Sequence, residues 1–149
     1  MSTWTPPQHI RTVAIGVIRY GDRLLLMAVK ERDGLTKGWR PLGGGIDFGE
    51  RAAAALVREI AEEIGAAIKP PVPLTIVENL FTHNGVAGHE IHFIFTAEFA
   101  DPAAAARERH DFGDGGVDNV AEWVEIAHFR DGSERLFPEG LLALIDDTV

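Results

Sequence analysis

One segment of the sequence, Gly49 to Ala66 (GERAAAALVREIAEEIGA), constrains the fold more than any other. When each residue is advanced by roughly 100° around a helix, apolar residues gather on one side and glutamates on a neighbouring side. The predicted apolar side consists of Ala53, Leu56, Val57, Ile60 and Ile64. Gly65 is a natural stop for such a helix. The segment therefore predicts an amphipathic helix that buries one face and presents carboxylates on another.

The residues before this helix predict strands and a glycine-rich loop. The segment Arg11 to Glu31 is β-branched and apolar, and Gly21-Asp22 divides it as a hairpin turn would. A loop that contains glycine and proline follows, with a short strand expected near Trp39 to Leu42.

The residues after the helix predict a second antiparallel pair and a closing helix. The two strands are PLTIVENLFTH and HEIHFIFTAEFA, separated by the turn Asn84 to Gly88. Asp101-Pro102 is expected to begin a brief helix over AAAARERH, and DFGDGGVDN is typical of an acidic loop. VAEWVEIAHF is predicted to be the last strand and its exit, and Pro138 to begin a closing helix. This order indicates a mixed α/β fold with helices packed on a partly antiparallel sheet.

Length, charge and composition narrow the class of protein. A chain of 149 residues suits one domain over residues 1–149. The formal charge of −9 argues against binding to duplex nucleic acid or to an anionic membrane surface. Cysteine is absent, which excludes disulfides and thiolate chemistry. No apolar run is long enough to cross a bilayer and the first residues lack a secretory signal, so we expect a cytoplasmic protein.

The glutamates of the helix are candidate metal ligands. Glu62 and Glu63 lie three and four positions after Glu59, so their side chains share one region of the helix surface with it. Carboxylate oxygens suit Mg²⁺ or Mn²⁺, which commonly also bind substrate phosphates. An Ala- and Glu-rich helix can equally present only a solvated acidic face. Gly43 to Gly45, just upstream, favour the metal site because bare backbone can approach a ligand closely.

The same residues carry a resemblance to a known family. Gly44, Glu50, Arg58, Glu59, Ile60, Glu62, Glu63 and Gly65 match the Nudix box, G-x5-E-x7-R-E-U-x-E-E-x-G-U, where U is a bulky aliphatic residue. The last position, Ala66, is smaller than usual, and Pro41-Leu42 precedes Gly43-Gly44 where family members commonly have Pro-Gly-Gly. The chain therefore resembles the Nudix hydrolases.

This resemblance implies a fold and a reaction. The implied fold is an α/β/α sandwich with a mixed sheet and a loop-helix-loop catalytic motif. The implied reaction is metal-dependent hydrolysis of a diphosphate linkage in a small molecule. Glu59, Glu62 and Glu63 would bind Mg²⁺ or Mn²⁺, and the carbonyl of Gly43 would complete the shell. Glu50 and Arg58 would orient those ligands. Dimers are common among similar proteins, so a homodimer is left open.

The general base and the substrate contacts are less defined. Glu59 is one candidate base because it would lie beside the metal. Some family members use an acidic residue from a later loop, for which Asp114, Asp118 and Glu122 compete without a spacing that selects among them. Candidate substrate contacts are Trp39 and Phe81 for stacking, Arg40 for phosphate, His83 beside the turn, and Glu122. Each of these also has an ordinary structural reading as a packing or solvated residue.

The substrate class follows by elimination. Subfamilies that hydrolyse ADP-ribose or dinucleoside polyphosphates carry a proline or a tyrosine downstream of the box, where this chain has Phe81 to Asn84. A nucleoside triphosphate or a modified nucleotide is therefore the leading prediction. Hydrolysis of ADP-ribose or a nucleotide sugar is the alternative, and an inactive nucleotide-binding regulatory module is the alternative from another class.

Overall fold

Two hairpins build much of the sheet. In the computed structural model, which describes residues 4–111 and 120–148, the first hairpin joins β1 (Ile10–Tyr20) to β2 (Arg23–Lys30). The second joins β4 (Val72–His83) to β5 (Val86–Ala97). Its turn is the dipeptide Asn84-Gly85, where both residues have positive φ (50° and 76°), as a two-residue hairpin turn that follows the sheet twist requires. The predicted antiparallel pairs are confirmed.

The remaining elements complete one mixed sheet. They are β3 (Thr36–Gly45), α1 (Ala52–Ile64), α2 (Pro102–Ala105), β6 (Arg109–Asp111), β7 (Val120–Glu125), α3 (Ala127–Arg130) and α4 (Leu141–Thr148). The strand order is β4-β5-β1-β3-β2-β7-β6. The β1–β5 pair is parallel and the other pairs are antiparallel.

Helices cover both faces of this sheet. On one face α1 buries Ala55, Leu56, Ile60 and Ile64. A Cβ at Gly16 of β1 would lie 3.0 Å from Leu56 Cδ2, so this glycine permits close approach of the helix. On the other face Leu141 and Ile145 of α4 pack into a second core cluster with β1 and β2. The predicted α/β/α sandwich with a mixed sheet is confirmed.

Strand β3 changes its pairing partner halfway along its length. Its residues 36–41 pair with β2, whereas residues 42–45 pair with Val13 to Gly16 of β1. The segment around Leu136 pairs with the first half of β3 at Trp39. Strands β1 and β2 pair directly only near their hairpin, at Arg19 to Leu24. Away from their hairpin, β1 and β2 therefore separate, and each pairs with a different half of β3. This separation leaves space between the two parts of the sheet.

Several local predictions need correction. The strand expected near Trp39 to Leu42 extends through the three glycines, because these residues pair with β1 and tertiary pairing outweighs their low strand propensity. The brief helix stops at Ala105, and Arg109–Asp111 forms a short strand instead. Val57 is 37% exposed, because the buried face is centred on Leu56 and Ile60. Within the described residues, no helix is long and apolar enough to cross a membrane.

Candidate active site at the glutamate helix

Arg58 of α1 connects the helix to the loop that precedes it. Its Nε and Nη2 donate to the two carboxylate oxygens of Glu50, each at 2.8 Å, and Nη2 also donates to the Gly45 carbonyl at 3.1 Å. The Glu50 carboxylate in turn accepts the Asp47 N–H at 3.1 Å. Such a two-point Arg–carboxylate contact fixes orientation as well as charge. These contacts therefore fix the position of the loop relative to helix α1.

The same guanidinium draws two of the predicted metal ligands together. Arg58 Nη1 lies 3.0 Å from Glu59 Oε1 and 3.4 Å from Glu62 Oε2. The Glu59 side chain is largely buried, whereas that of Glu62 is exposed. Both carboxylates therefore contact the same nitrogen, Arg58 Nη1, from adjacent turns of the helix.

The glycines keep the β3 backbone close to these carboxylates. The Gly43 N–H donates to Glu63 Oε1 at 3.2 Å, and Gly43 has a φ of +142°. A Cβ at Gly44 would lie 2.5 Å from Glu59 Cδ and Oε2. A side chain at position 44 therefore would displace the Glu59 carboxylate.

Charge pairing shifts the pKa values of the supporting residues. The hydrogen bond from Arg58, helped by the Asp47 N–H, lowers the pKa of Glu50 to about 2. The hydrogen bond to Glu50, followed by the contacts with Glu59, raises the pKa of Arg58. Glu50 thus stays ionised until the pH falls to about 2.

The donor set fits a divalent cation in its chemistry. Glu59, Glu62 and Glu63 offer hard oxygen atoms of the kind that Mg²⁺ and Mn²⁺ prefer. Among the residues that the structure describes, no three His, Asp or Glu side chains already form a cluster arranged to hold a metal. Glu59 and Glu62 instead pair with Arg58, and Glu63 accepts the Gly43 N–H. Metal binding would therefore require these carboxylates to rotate away from Arg58 and from the Gly43 N–H.

A cavity of about 780 Å³ adjoins this end of the helix, where the sheet divides. Gly43, Gly44, Gly45 and Glu59 form part of its wall. Three of the predicted substrate contacts, Arg40, Phe81 and His83, also line it. Burial, together with the charge of Lys37, lowers the pKa of His83 against the opposing effect of Glu31. The cavity thus brings these three residues to the carboxylate site.

Two other predicted contacts lie elsewhere. Trp39 packs in the second core cluster beside Leu136, and its Nε1 donates to Glu134 Oε2 at 3.3 Å, because the chain around Leu136 pairs with this part of β3. Glu122 lies on β7, opposite Arg109 of β6 at 4.0 Å, and does not line the cavity. We therefore remove both from the set of substrate contacts. The candidate bases Asp114 and Asp118 lie outside the described residues.

Sequence reasoning missed three cavity residues, Arg11, Glu90 and His92. The Glu90 carboxylate accepts Arg11 Nη1 at 2.7 Å and contacts His92 Nε2 at 2.9 Å. Burial alone would raise the pKa of Glu90, but the His92 hydrogen bond and the charges of His92, Arg11 and Arg40 lower it overall. The two-residue spacing of Glu90 and His92 was the available signal, since it places both on one face of a strand.

Comparisons with known proteins agree with this geometry. A family model described as the NUDIX domain matches residues 9–144. No curated protein matched the chain. Similar solved structures include a NUDIX hydrolase from Nitrosomonas europaea, with 23% identity, TM-score 0.65, and coverage of 93% of this chain and 88% of that one.

Two further structures show the same fold. A NUDIX family hydrolase from Clostridium perfringens has 16% identity and TM-score 0.62, and the match covers 91% of this chain and 96% of that one. A MutT NUDIX hydrolase from Burkholderia pseudomallei has 22% identity and TM-score 0.59, with coverage of 80% and 86%. Since the family model spans nearly the whole chain, the protein belongs to the Nudix family.

Proposed function

We propose that this protein hydrolyses a diphosphate linkage in a nucleoside triphosphate or a modified nucleotide, with Mg²⁺ or Mn²⁺ bound at the glutamate helix. Nudix proteins in general act on nucleoside diphosphate derivatives and require divalent metal ions. The observation that carries the proposal for this chain is the convergence of Glu59 and Glu62 on one cationic point, at 3.0 and 3.4 Å.

The proposed ligands are Glu59 and Glu62, with Glu63 and the Gly43 carbonyl as further members of the shell. Glu63 would exchange its hydrogen bond with the Gly43 N–H for the metal. A divalent cation held there neutralises diphosphate charge and lowers the pKa of a bound water. Arg58 and Glu50 are proposed to keep the Glu59 and Glu62 side chains within reach of that position.

Glu59 is our candidate for the general base. It is the one box glutamate that lines the cavity, so its carboxylate can face both the metal position and a substrate. A base must reach the proton that it removes, directly or through one water. Glu122 is not proposed for this role, because it lies on β7 away from the cavity.

The cavity is proposed to hold the rest of the substrate. Phe81 offers a face for a base to stack on, His83 lies beside it, and Arg40 brings a positive charge. Arg40 donates to the Pro41 carbonyl at 3.2 Å and to Met27 Sδ at 3.1 Å, and it has no carboxylate partner among the described residues. Arg40 is therefore available to a phosphate oxygen.

A substrate panel tests this proposal. The purified protein is incubated with Mg²⁺ or Mn²⁺ and with nucleoside triphosphates, oxidised or methylated nucleotides, ADP-ribose and nucleotide sugars, and phosphate-containing products are quantified. We expect metal-dependent turnover, fastest on a triphosphate or modified nucleotide and abolished in Glu62→Gln. Preference for ADP-ribose or a nucleotide sugar would replace our substrate class. Nucleotide binding without turnover would favour the regulatory module.

Two other predictions stay predictions. A cytoplasmic location would be tested by fractionation of cells, and a homodimer by light scattering of the purified protein.

A further inference from the structure

Arg11 occupies the cavity wall next to the glycine segment of β3. It lies on β1, and its Nη2 would be 3.7 Å from a Cβ built on Gly45. The Gly45 carbonyl is the group that accepts Arg58 Nη2 at 3.1 Å. Arg11 therefore approaches the glycines from the cavity, while Arg58 approaches them from the glutamate helix.

A nearly buried carboxylate holds Arg11 in this position. Arg11 Nη1 donates to Glu90 Oε2 at 2.7 Å, and the other oxygen, Oε1, contacts His92 Nε2 at 2.9 Å. The side chains of Glu90 and His92 are 11% and 10% exposed. A carboxylate oxygen accepts in such a contact, so His92 Nε2 is the donor to Glu90 Oε1. The β1–β5 register that sets Arg11 opposite Glu90 builds this arrangement.

Most of the donors of Arg11 are left for a ligand. A guanidinium has five N–H groups, and among the described residues only the bond to Glu90 engages a hydrogen-bond acceptor. The guanidinium also lies 5.6 Å from the centre of the Trp4 ring, which restricts it further. The side chain is 31% exposed and faces the cavity.

Arg40 adds a second positive charge to the same space. Arg40 lines the same cavity as Arg11 and Glu90. A chain with formal charge −9 thus brings two guanidiniums to the wall of one cavity, and Glu90, the carboxylate that contacts Arg11, is already paired with it. An ion pair adds little to folding stability whether it is exposed or buried, so stability alone does not account for this arrangement.

We propose that Arg11 binds a phosphate oxygen of the substrate together with Arg40, and that Glu90, supported by His92, positions Arg11 for this contact. The inference rests on the proposed function, because it assigns the phosphate-binding end of the same cavity. Arg11 is a substrate-binding residue in this account, and Glu90 and His92 are positioning residues.

The first test measures binding of methylenediphosphonate, a diphosphate analogue that cannot be hydrolysed, by calorimetry in the presence of Mg²⁺. Loss of a charge-assisted hydrogen bond should weaken binding about tenfold or more in Arg11→Gln. Arg11→Lys, which retains the charge but not the planar fork, should show an intermediate affinity. Arg19→Gln, on the same strand but outside the cavity, is the matched control and should bind as the wild type does.

A double-mutant cycle tests the positioning role. Glu90→Gln alone should weaken binding of the analogue, whereas adding it to Arg11→Gln should cause no further loss, because Glu90 acts only through Arg11. If the losses of affinity in the two single variants simply added in the double variant, the positioning role of Glu90 would be overturned. Thermal melts identify any variant that does not fold, and His92→Gln then replaces Glu90→Gln in the cycle.

Kinetics separate this inference from the proposed function. With an active wild type, Arg11→Gln should raise KM for the best substrate about tenfold with little change in kcat. Equal binding of the analogue by wild type and Arg11→Gln, including no measurable binding by either, overturns the assignment of Arg11. A wild type that binds the analogue through Arg11 but hydrolyses nothing on the panel refutes the proposed activity and leaves the assignment standing.

Discussion

Two arginine-carboxylate clusters border the same glycine segment, and they differ in how the chain builds them. Arg58 and its partners Glu50, Glu59 and Glu62 lie within one loop and helix, and Glu62 is the exposed member of this cluster. Arg11 and Glu90 are 79 positions apart and meet through the parallel pairing of β1 with β5, where Glu90 is nearly buried. The first cluster depends on local spacing and the second on sheet register.

The two clusters are therefore suited to different steps of the proposed mechanism. The exposed Glu62 carboxylate can rotate toward a cation at little cost, because water screens it while it moves. The nearly buried Glu90 carboxylate cannot reorganise cheaply, because it would lose Arg11 and His92 as partners in a medium of low polarity. The glutamate helix suits the step in which charge changes, and the Arg11–Glu90 pair suits recognition.

The largest effect is expected at the glutamate helix itself. Glu59→Gln removes a proposed metal ligand that is also the candidate base, so kcat should fall about 100-fold or more while the fold persists. Steady-state kinetics with Mg²⁺ measure kcat, and a thermal melt measures whether the fold persists. A variant that keeps wild-type kcat would remove Glu59 from the mechanism and would weaken the contrast between the two clusters.

Replacement of the arginine that joins loop and helix should have the next largest effect. Arg58→Lys keeps the charge but loses the two-point contact with Glu50, so Mg²⁺ affinity or activity should fall about 10- to 100-fold. Titration of activity against Mg²⁺ concentration measures this change. Arg19→Lys, in the first hairpin, is the control. Equal metal dependence in wild type and Arg58→Lys would show that the orientation of the ligands does not depend on Arg58.

A smaller effect is expected from the glycine segment. The Cβ of Gly44→Ala would meet the Glu59 carboxylate at 2.5 Å, which is the flexible end of a side chain and can move. Activity should therefore fall about tenfold, with little loss of thermal stability. Gly45→Ala is the matched control, since its Cβ would meet only Arg11 Nη2, at the ordinary distance of 3.7 Å. If both variants retained full activity, close packing of β3 against Glu59 would not matter for catalysis.

The smallest expected effect is in the pH dependence of the Glu50 carboxyl. Because Arg58 depresses the pKa of Glu50 from 4.5 to about 2, the stability that this pair contributes is fully present above pH 4.5 and is lost as pH falls through about 2. Carbon-13 NMR of the Glu50 carboxyl should show a midpoint near 2. In Arg58→Gln the midpoint should rise toward 4.5. An unchanged midpoint in that variant would show that Arg58 is not the cause.

The features predicted correctly from sequence are those set by near neighbours. Gly65 ends α1 with a φ of 66°, and Asn84-Gly85 forms the second hairpin turn, because these residue types accept positive φ. The glutamate and arginine spacings of the box likewise act within a few turns of one helix. Local chemistry was sufficient for these elements.

The features that sequence missed depend on pairing between distant strands. The glycines of β3 are strand residues only because β1 lies beside them, and Trp39 is a packing residue because the chain near Leu136 pairs with it. Arg11 and Glu90 become partners through the β1–β5 register, which no spacing in one sequence reveals. Sequence therefore predicted the local contacts of the box and three of the cavity residues, and it missed the Arg11–Glu90 pair.

Anomalous diffraction from crystals soaked in Mn²⁺ tests the central claim most directly. The account predicts a manganese peak coordinated by the Glu59 and Glu62 carboxylates, in wild-type protein that turns over substrate with Mn²⁺, and loss of that peak in Glu62→Gln. An active enzyme whose manganese lay elsewhere, with Glu59 and Glu62 still paired to Arg58, would contradict it.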